Sequence, residues 1–261
     1  MAATADRSPE ASVSPPPSGS SGRWSLPRVV PRIVGWAVAT PVLFAILPGI
    51  PGPGPIEVDA FLGFGLGLLP VLLLAWTIAR GHMSARVAGA LTGAGLAGAV
   101  GLSALGWLVL AVPFKVVFAA GMGRLLGRQV GEPLWLALVA AVALIADIWS
   151  VFAGPTRAVV ERAPGFLDYL LVHFPVLGHA GSGMGLGMSD VIFLALFAAG
   201  SARAGLRSVA GFAAMACSLL VTVAVALVWK SALPALPFLS IAFLLANADL
   251  LVNAARRWRE G

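Results

Sequence analysis

Charged side chains are scarce in this sequence. Only 11% of its 261 residues are Asp, Glu, Lys or Arg, whereas 59% are hydrophobic. Soluble domains usually carry about 25% charged residues, so this composition excludes an ordinary water-soluble domain. The apolar runs are long and do not alternate, which favours helices over the strands of a membrane barrel. We therefore predict an all-α fold, a polytopic transmembrane helical bundle of about seven or eight spans in a lipid bilayer.

Cysteine is almost absent as well. The single cysteine, Cys217, lies within an apolar run, which excludes an internal disulfide framework and a cysteine metal cluster. The net charge of +6 comes mostly from arginines near the ends of apolar runs. Anionic lipid headgroups explain such arginines better than nucleic acid does, so we expect no nucleic-acid partner. We also expect no cofactor and no metal ion.

The N-terminal residues 1–31 have little to bury, because they are mostly Ser, Pro and Ala. We predict a disordered tail there, and the stretch lacks the continuous apolar core of a signal peptide. We divide the remainder into an N-terminal transmembrane bundle (32–128), a second transmembrane half (129–255) and a basic C-terminal tail (256–261). The candidate spans are 32–50, 58–79, 86–112, 133–153, 186–203, 208–229 and 233–254.

A weaker segment, 113–128, contains Lys115, Arg124 and Arg128. It is interpreted as either an eighth span or a helix at the membrane surface, and the two alternatives imply different orientations. If the segment spans, most Lys and Arg side chains fall on one side of the membrane, as the positive-inside rule favours. If it does not, they divide almost evenly. The orientation therefore stays open from sequence alone.

Several glycines recur four residues apart, a spacing that allows close approach of helices in lipid. The pairs are Gly63 and Gly67, Gly89 and Gly93, and Gly183 and Gly187. We expect them at helix–helix contacts. The segment 181–187, GSGMGLG, is interpreted as a flexible hinge rather than a nucleotide-binding loop, since no strand is expected before it.

Aspartates inside apolar runs are the main candidates for function. Asp147 lies in LVAAVALIADIWSVFAGP (138–155), where an ionised carboxylate costs about 2.5–3.5 kcal/mol on insertion scales. Asp190 lies in the next apolar helix. If the two carboxyls meet, they share a proton and together carry about one charge instead of two. Such a pair can activate water for attack on a peptide bond. Helix capping, a backbone ligand role, or a proton or ion pathway are the alternatives.

The residues around Asp147 bear a family resemblance. Gly154, Pro155, Arg157 and Glu161, in GPTRAVVE (154–161), match the Gly-Pro-x-Arg-x-x-Val-Glu segment that follows the first aspartate of the presenilin family. Presenilins are intramembrane aspartyl proteases with one catalytic aspartate on each of two adjacent helices. The resemblance implies a presenilin-like bundle, with up to about nine spans.

The C-terminal part carries a second match. Pro234, Ala235 and Leu236 resemble the family's Pro-Ala-Leu motif, and Pro237 follows as it does in presenilins. The resemblance implies that this motif borders the substrate site beside the aspartates. It also implies that Asp249, on the helix that follows, is a structural residue.

The third motif departs from the family pattern. The family's second aspartate follows Gly-x-Gly, whereas this chain has Gly187, Met188 and Ser189 before Asp190. Serine in place of glycine is expected to be strained if the motif needs glycine-specific backbone angles. Ala146 also stands where presenilins usually have tyrosine. Both departures bear on catalysis rather than on the fold.

The implied function is an intramembrane aspartyl endopeptidase of the bacterial cytoplasmic membrane. Asp147 and Asp190 would hydrolyse transmembrane segments of protein or peptide substrates with water as nucleophile. Free backbone groups of residues 234–236 would pair with the unwound substrate, and the loop 154–185 would order over it. The alternative is a weak or inactive relative that binds membrane helices, or a carrier coupled to ions or protons. Asp168, His173 and His179 in this loop are interpreted as solvated side chains rather than a metal site.

Overall fold

The structure is a computed structural model that describes residues 26–152, 164–231 and 233–260. Helices dominate it. They are α1 (Leu26–Ile46), α2 (Ile56–Arg80), α3 (Ala85–Ala104), α4 (Leu108–Gly127), α5 (Pro133–Phe152), α6 (Met188–Arg203), α7 (Ser208–Trp229), α8 (Leu236–Ala246) and α9 (Ala248–Glu260). Short helical turns cover Leu47–Gly49, Pro164–Phe166 and Leu167–Leu170, and two strands, β1 (Leu171–Val176) and β2 (His179–Gly187), form a hairpin.

Six helices, α1 to α5 and α7, are long and apolar enough to cross a membrane, and α8 with α9 makes a seventh if this bent pair is one span. These numbers apply to the part of the chain that the structure describes. Helix α6 has 16 residues and rises about 24 Å, a little less than a typical hydrocarbon core of about 30 Å. The chain therefore has the character of an integral membrane protein, as its composition predicted.

The weak segment 113–128 belongs to α4, so it lies within a candidate span. The predicted span 86–112 is wrong in extent, since the chain leaves α3 after Ala104 and turns at Gly106, which has φ +75°. Only glycine adopts such a φ without cost. Apolar residues continue on both sides of the turn, so hydropathy alone does not reveal this break.

The predicted span 233–254 is broken between α8 and α9, which are bent by 71°. Asn247 at the bend is buried: its Nδ2 donates to Phe243 O, and its Oδ1 accepts the backbone N–H of Arg207 at 2.8 Å. The helices at either end of the chain also extend further than predicted. Helix α1 already begins at Leu26, and α9 continues to Glu260 with arginines on its exposed side.

The core lies between α2, α4 and α6. Their buried side chains include Phe64, Leu74, Ile78, Val116, Leu194 and Phe197. The outer helices expose apolar stripes at helical spacing. On α5 the stripe is Trp135, Leu138, Val142, Ile145 and Trp149. In water such stripes would be aggregation-prone patches, whereas in a bilayer they face the lipid tails.

Close helix packing uses glycines other than those predicted. A Cβ on Gly123 or Gly127 of α4 would collide with backbone atoms of α6, so this four-residue pair lets the two helices touch. Gly89 and Gly93 have nothing near their Cβ positions, so they do not mediate a helix contact. The spacing alone does not say which side of a helix meets a neighbour.

The other two predicted glycine pairs contact or belong to the hairpin. A Cβ on Gly63 of α2 would collide with the backbone oxygen of Pro175, and one on Gly67 would contact the ring of Phe174. Gly183 and Gly187 lie in β2 itself. Helix α2 therefore uses its small residues to hold a β-hairpin instead of another helix.

The hairpin replaces the flexible loop expected before Asp190. Strands β1 and β2 pair antiparallel, with Leu171 opposite Gly187, so the predicted hinge 181–187 is part of a strand. Val172, Phe174 and Val176 are buried, and the Phe174 ring packs on Phe64 with centroids 4.6 Å apart. This alternation in LVHFPV is the period-two signal of a strand. The fold is thus mostly helical rather than all-α.

Candidate functional site

Asp147 lies one turn before the end of α5, on a half-buried side away from the lipid-facing stripe. Its Oδ2 accepts the backbone N–H of Leu236 at 3.2 Å. Leu236 is the first residue of α8, so the carboxylate lies at a helix N-terminus, where unpaired N–H groups and the helix dipole favour negative charge. This contact gives a physical reason why the apolar run tolerates an aspartate.

Asp190 is the third residue of α6 and only 7% exposed. Its Oδ2 accepts the N–H of Gly187 at 3.1 Å, at the start of its own helix. The strand β2 ends at Gly187, so the hairpin leads directly into this contact. The second aspartate is therefore also held at a helix N-terminus.

The two aspartates lie in one neighbourhood. Helix α5 packs directly against α6, and α8 packs against both. Asp147 contacts the first residue of α8, and α8 also packs against α6, whose third residue is Asp190. Together with Leu236 the two aspartates form the cluster that we call the aspartate site.

The Pro-Ala-Leu segment closes one side of the aspartate site. Pro234, Leu236 and Pro237 are buried, and Ala235 is half-buried. The expectation that backbone groups of this segment are free for a substrate is wrong at Leu236, because Asp147 accepts its N–H. The two prolines have no N–H to offer. The N–H of Leu236 is therefore not free to pair with another chain in this arrangement.

Ser189 occupies ordinary backbone angles, contrary to the expected strain. Along the described stretches, Lys230 (φ 51°) is the one non-glycine residue with positive φ. Ser189 is exposed at the start of α6, where serine is readily accommodated, and Ala146 is exposed beside Asp147. Lys230 directly follows the last residue of α7 and precedes the Pro-Ala-Leu segment.

The remaining predicted motif residues are four that the structure does not describe and Asp249. Gly154, Pro155, Arg157 and Glu161 fall outside the described residues. Asp249 makes a bidentate ion pair with Arg207, with both N–O distances 2.8 Å, where α6 is followed by α7 at the opposite end of the bundle.

Sequence reasoning missed two buried charges that hold the hairpin. Asp59, 2% exposed in the first turn of α2, accepts from Gly54 N–H at 3.2 Å and lies 3.3 Å from Nε2 of His179. Lys115 of α4 is fully buried and donates to Leu171 O at 2.8 Å and to Asp168 O. A lysine in the apolar run LVLAVPFKVVFAAG was the available signal, since such a charge requires partners.

The two hairpin histidines belong to separate pairs. Nε2 of His173 lies 3.5 Å from Oδ1 of Asp168, whereas His179 contacts Asp59. Burial and the nearby Lys115 lower the pKa of His173. Their combined effect outweighs that of Asp168, which raises this pKa. Within the described ranges, no three potential metal-ligating side chains come together.

Comparison with known proteins adds no assignment. No protein-family model matches this chain, and no characterised protein matches it in sequence. Function is therefore inferred from the residues of the aspartate site and their contacts.

Proposed function

We propose that this chain is an intramembrane aspartyl endopeptidase that cleaves membrane-spanning segments of other proteins. The observation that carries the proposal is the convergence of Asp147, Asp190 and Leu236 from three helices. The two carboxyls lie beside a backbone segment bounded by prolines, and the hairpin leads into the helix of one of them. A carboxyl pair in such a place can carry out acid–base attack on an amide.

The chemistry requires one proton shared by the two carboxyls. The ionised partner takes a proton from water, the hydroxide adds to the amide carbon, and the protonated partner donates to the carbonyl oxygen. Collapse of the tetrahedral intermediate breaks the C–N bond: the leaving nitrogen takes a proton from the newly protonated carboxyl, and a hydroxyl of the intermediate returns its proton to the other carboxylate. Because Oδ2 of Asp147 is held by Leu236, the water would bind at Oδ1.

The hairpin offers a place for an extended substrate. Strand β1 packs on α2 and α4, and β2 pairs with β1 along one edge. Within the described residues the sheet has two strands, so no second strand pairs with the other edge of β2 there. Added strands bind through main-chain hydrogen bonds at such edges. A substrate strand paired with β2 would extend toward Asp190, because this residue lies in the helix that directly follows β2.

The test is cleavage of a single-span peptide by the full chain in proteoliposomes. Asp147→Asn and Asp190→Asn preserve side-chain size, and each should lower the cleavage rate by at least about 100-fold, because loss of an acid–base group costs that much. Asp249→Asn is the matched control and should cleave at nearly the wild-type rate. Cleavage retained in either dyad variant would remove that residue from the mechanism.

A helix-binding or ion-coupled protein without protease activity is the second candidate. The observation that favours it is that each aspartate already accepts an N–H at a helix start, as a purely structural carboxylate would. A photoreactive transition-state analogue of aspartyl proteases distinguishes the two. Labelling that Asp147→Asn and Asp190→Asn abolish supports the protease, and absence of labelling in the wild type supports the second candidate.

A further inference from the structure

A cavity of about 460 Å³ lies at the end of the bundle opposite the hairpin, where α2, α4 and α6 finish. Its charged lining consists of Arg80, Arg124, Arg128 and Arg203, with His82. No acidic side chain is among the described residues that line it, and Glu132, next to the lining residue Gly131, is exposed. We call it the arginine cavity.

Arg124 forms the buried part of the arginine cavity. It is 7% exposed, and its guanidinium donates to Ile78 O, Ala79 O and Met83 O at 2.8–3.2 Å. These bonds satisfy carbonyls at the C-terminus of α2 and just after it. This structural role alone would explain why Arg124 is buried. Its Nε, however, is buried without a hydrogen-bond partner, so the group keeps an unused donor.

A second guanidinium converges on the same carbonyl. Arg128 donates to Met83 O at 3.2 Å, while Arg124 donates to that oxygen at 3.1 Å. The two cations are close enough to repel each other. A neutral carbonyl cannot cancel two positive charges, and the exposed Arg203 adds a third. Positive charge therefore exceeds negative charge among the described residues that line the cavity, which favours an anion there.

We propose that the arginine cavity binds a phosphate group. Arginine presents a planar set of donors that matches phosphate oxygens, and clustered arginines are the usual partners of that group. The cavity lies at helix ends that meet the membrane surface, where anionic lipids supply phosphodiester headgroups. A soluble phosphate is the other source of the same chemistry. This proposal does not depend on the protease activity.

The test is thermal unfolding of the full chain in neutral detergent, titrated separately with short-chain phosphatidylglycerol, short-chain phosphatidylcholine and inorganic phosphate at constant ionic strength. The wild type should be stabilised more strongly by the anionic lipid than by phosphatidylcholine, because phosphatidylcholine carries the phosphodiester beside a cation that the arginines repel. The variants are Arg128→Gln and Arg203→Gln. Arg203 is exposed, so its replacement spares the fold. Arg86→Gln, an exposed arginine in the first turn of α3 outside the cavity, is the matched control.

Each cavity variant should bind phosphatidylglycerol about fivefold more weakly than the wild type, whereas Arg86→Gln should bind equally well. Stabilisation by inorganic phosphate alone, lost in Arg203→Gln, would support the phosphate site and assign its source to a soluble anion. Equal affinities in Arg203→Gln and Arg86→Gln, or no stabilisation by any phosphate compound, would overturn the proposal.

Discussion

Buried charges in this protein are held by backbone groups. Asp147 and Asp190 each accept an N–H at a helix start, and Lys115 and Arg124 donate to carbonyls. In a medium without water, these backbone partners offset the cost of placing a charge among apolar side chains. A charge in an apolar run therefore indicates a tertiary contact before it indicates catalysis.

Lys115 should stabilise the hairpin specifically. In Lys115→Met the carbonyls of Leu171 and Asp168 lose their donor, so we expect the free energy of local hairpin opening to fall by about 2 kcal/mol. Hydrogen exchange of the amides in 171–187 measures this. Lys230→Met, at an exposed lysine 3.9 Å from Glu57, should change exchange by less than about 0.5 kcal/mol. Equal protection in the two variants would contradict the role of Lys115.

His173 should make the hairpin sensitive to acid. Its pKa is lowered from 6.5 in the folded hairpin by burial and by Lys115, so the opened hairpin binds more protons below about pH 6.5. Stability then rises with pH and is lost as the pH falls from 6.5 through the lowered value. Exchange of the β1 amides between pH 5 and 7.5, corrected for intrinsic rates, should show this slope. His173→Gln should flatten it, whereas an unchanged slope would assign the effect to another group.

At the scale of elements, the contact between α4 and α6 positions the aspartate site. Gly123 and Gly127 bring α4 against the backbone of α6, the helix that carries Asp190. Helix α6 in turn contacts α5 and α8, which supply Asp147 and Leu236. A displacement of α6 therefore moves one carboxyl relative to the other.

Gly127→Ala should separate these helices. The added methyl would lie 2.5 Å from the backbone oxygen of Leu196, which has no freedom to move aside. We expect a loss of about 1–3 kcal/mol in unfolding free energy, together with slower peptide cleavage. Gly93→Ala is the control, since nothing lies within 4 Å of its new methyl, and it should be neutral or slightly stabilising. A similar loss in both variants would show that α4–α6 packing is not the cause.

At the scale of the whole molecule, the positive charge of the described residues is concentrated at one end. Because α4 has the character of a span, successive helices from α1 to α4 run in opposite directions. The arginines at the end of one helix and the start of the next therefore lie together, at the end of the bundle that holds the arginine cavity. They are Arg32, Arg80, Arg86, Arg124, Arg128, Arg203 and Arg207, and α9 adds Arg256, Arg257 and Arg259. The positive-inside rule then favours a cytoplasmic location for this end. The hairpin and the aspartate site would lie toward the opposite surface.

Cysteine labelling tests this orientation. On a Cys217→Ser background, Ala180→Cys in exposed β2 should react with a membrane-impermeant maleimide in intact cells. Arg86→Cys, at the basic end, should react only after permeabilisation. The reverse pattern would show that the basic end faces outward, against the charge rule.

Much of the architecture followed from composition. Long apolar runs form helices in lipid whatever their neighbours are, because each helix satisfies its own backbone groups. The order of the two aspartates and of the Pro-Ala-Leu segment was likewise visible in the chain. The break at Gly106 and the bend at Asn247 were not predicted, since residues on both sides of each remain apolar. The hairpin was not predicted either, although LVHFPV carries the alternation of a strand.

Sequence by itself determined that this is a membrane protein of helices carrying a few internal charges. Only the tertiary structure decided which partners those charges have. Asp147 and Leu236 are 89 positions apart, and Lys115 reaches Leu171 across 56 positions. Such contacts depend on how whole helices pack, and that packing depends on which side of each helix carries its small residues. Local spacing does not contain this information, because lipid-facing and protein-facing sides of a membrane helix are equally apolar.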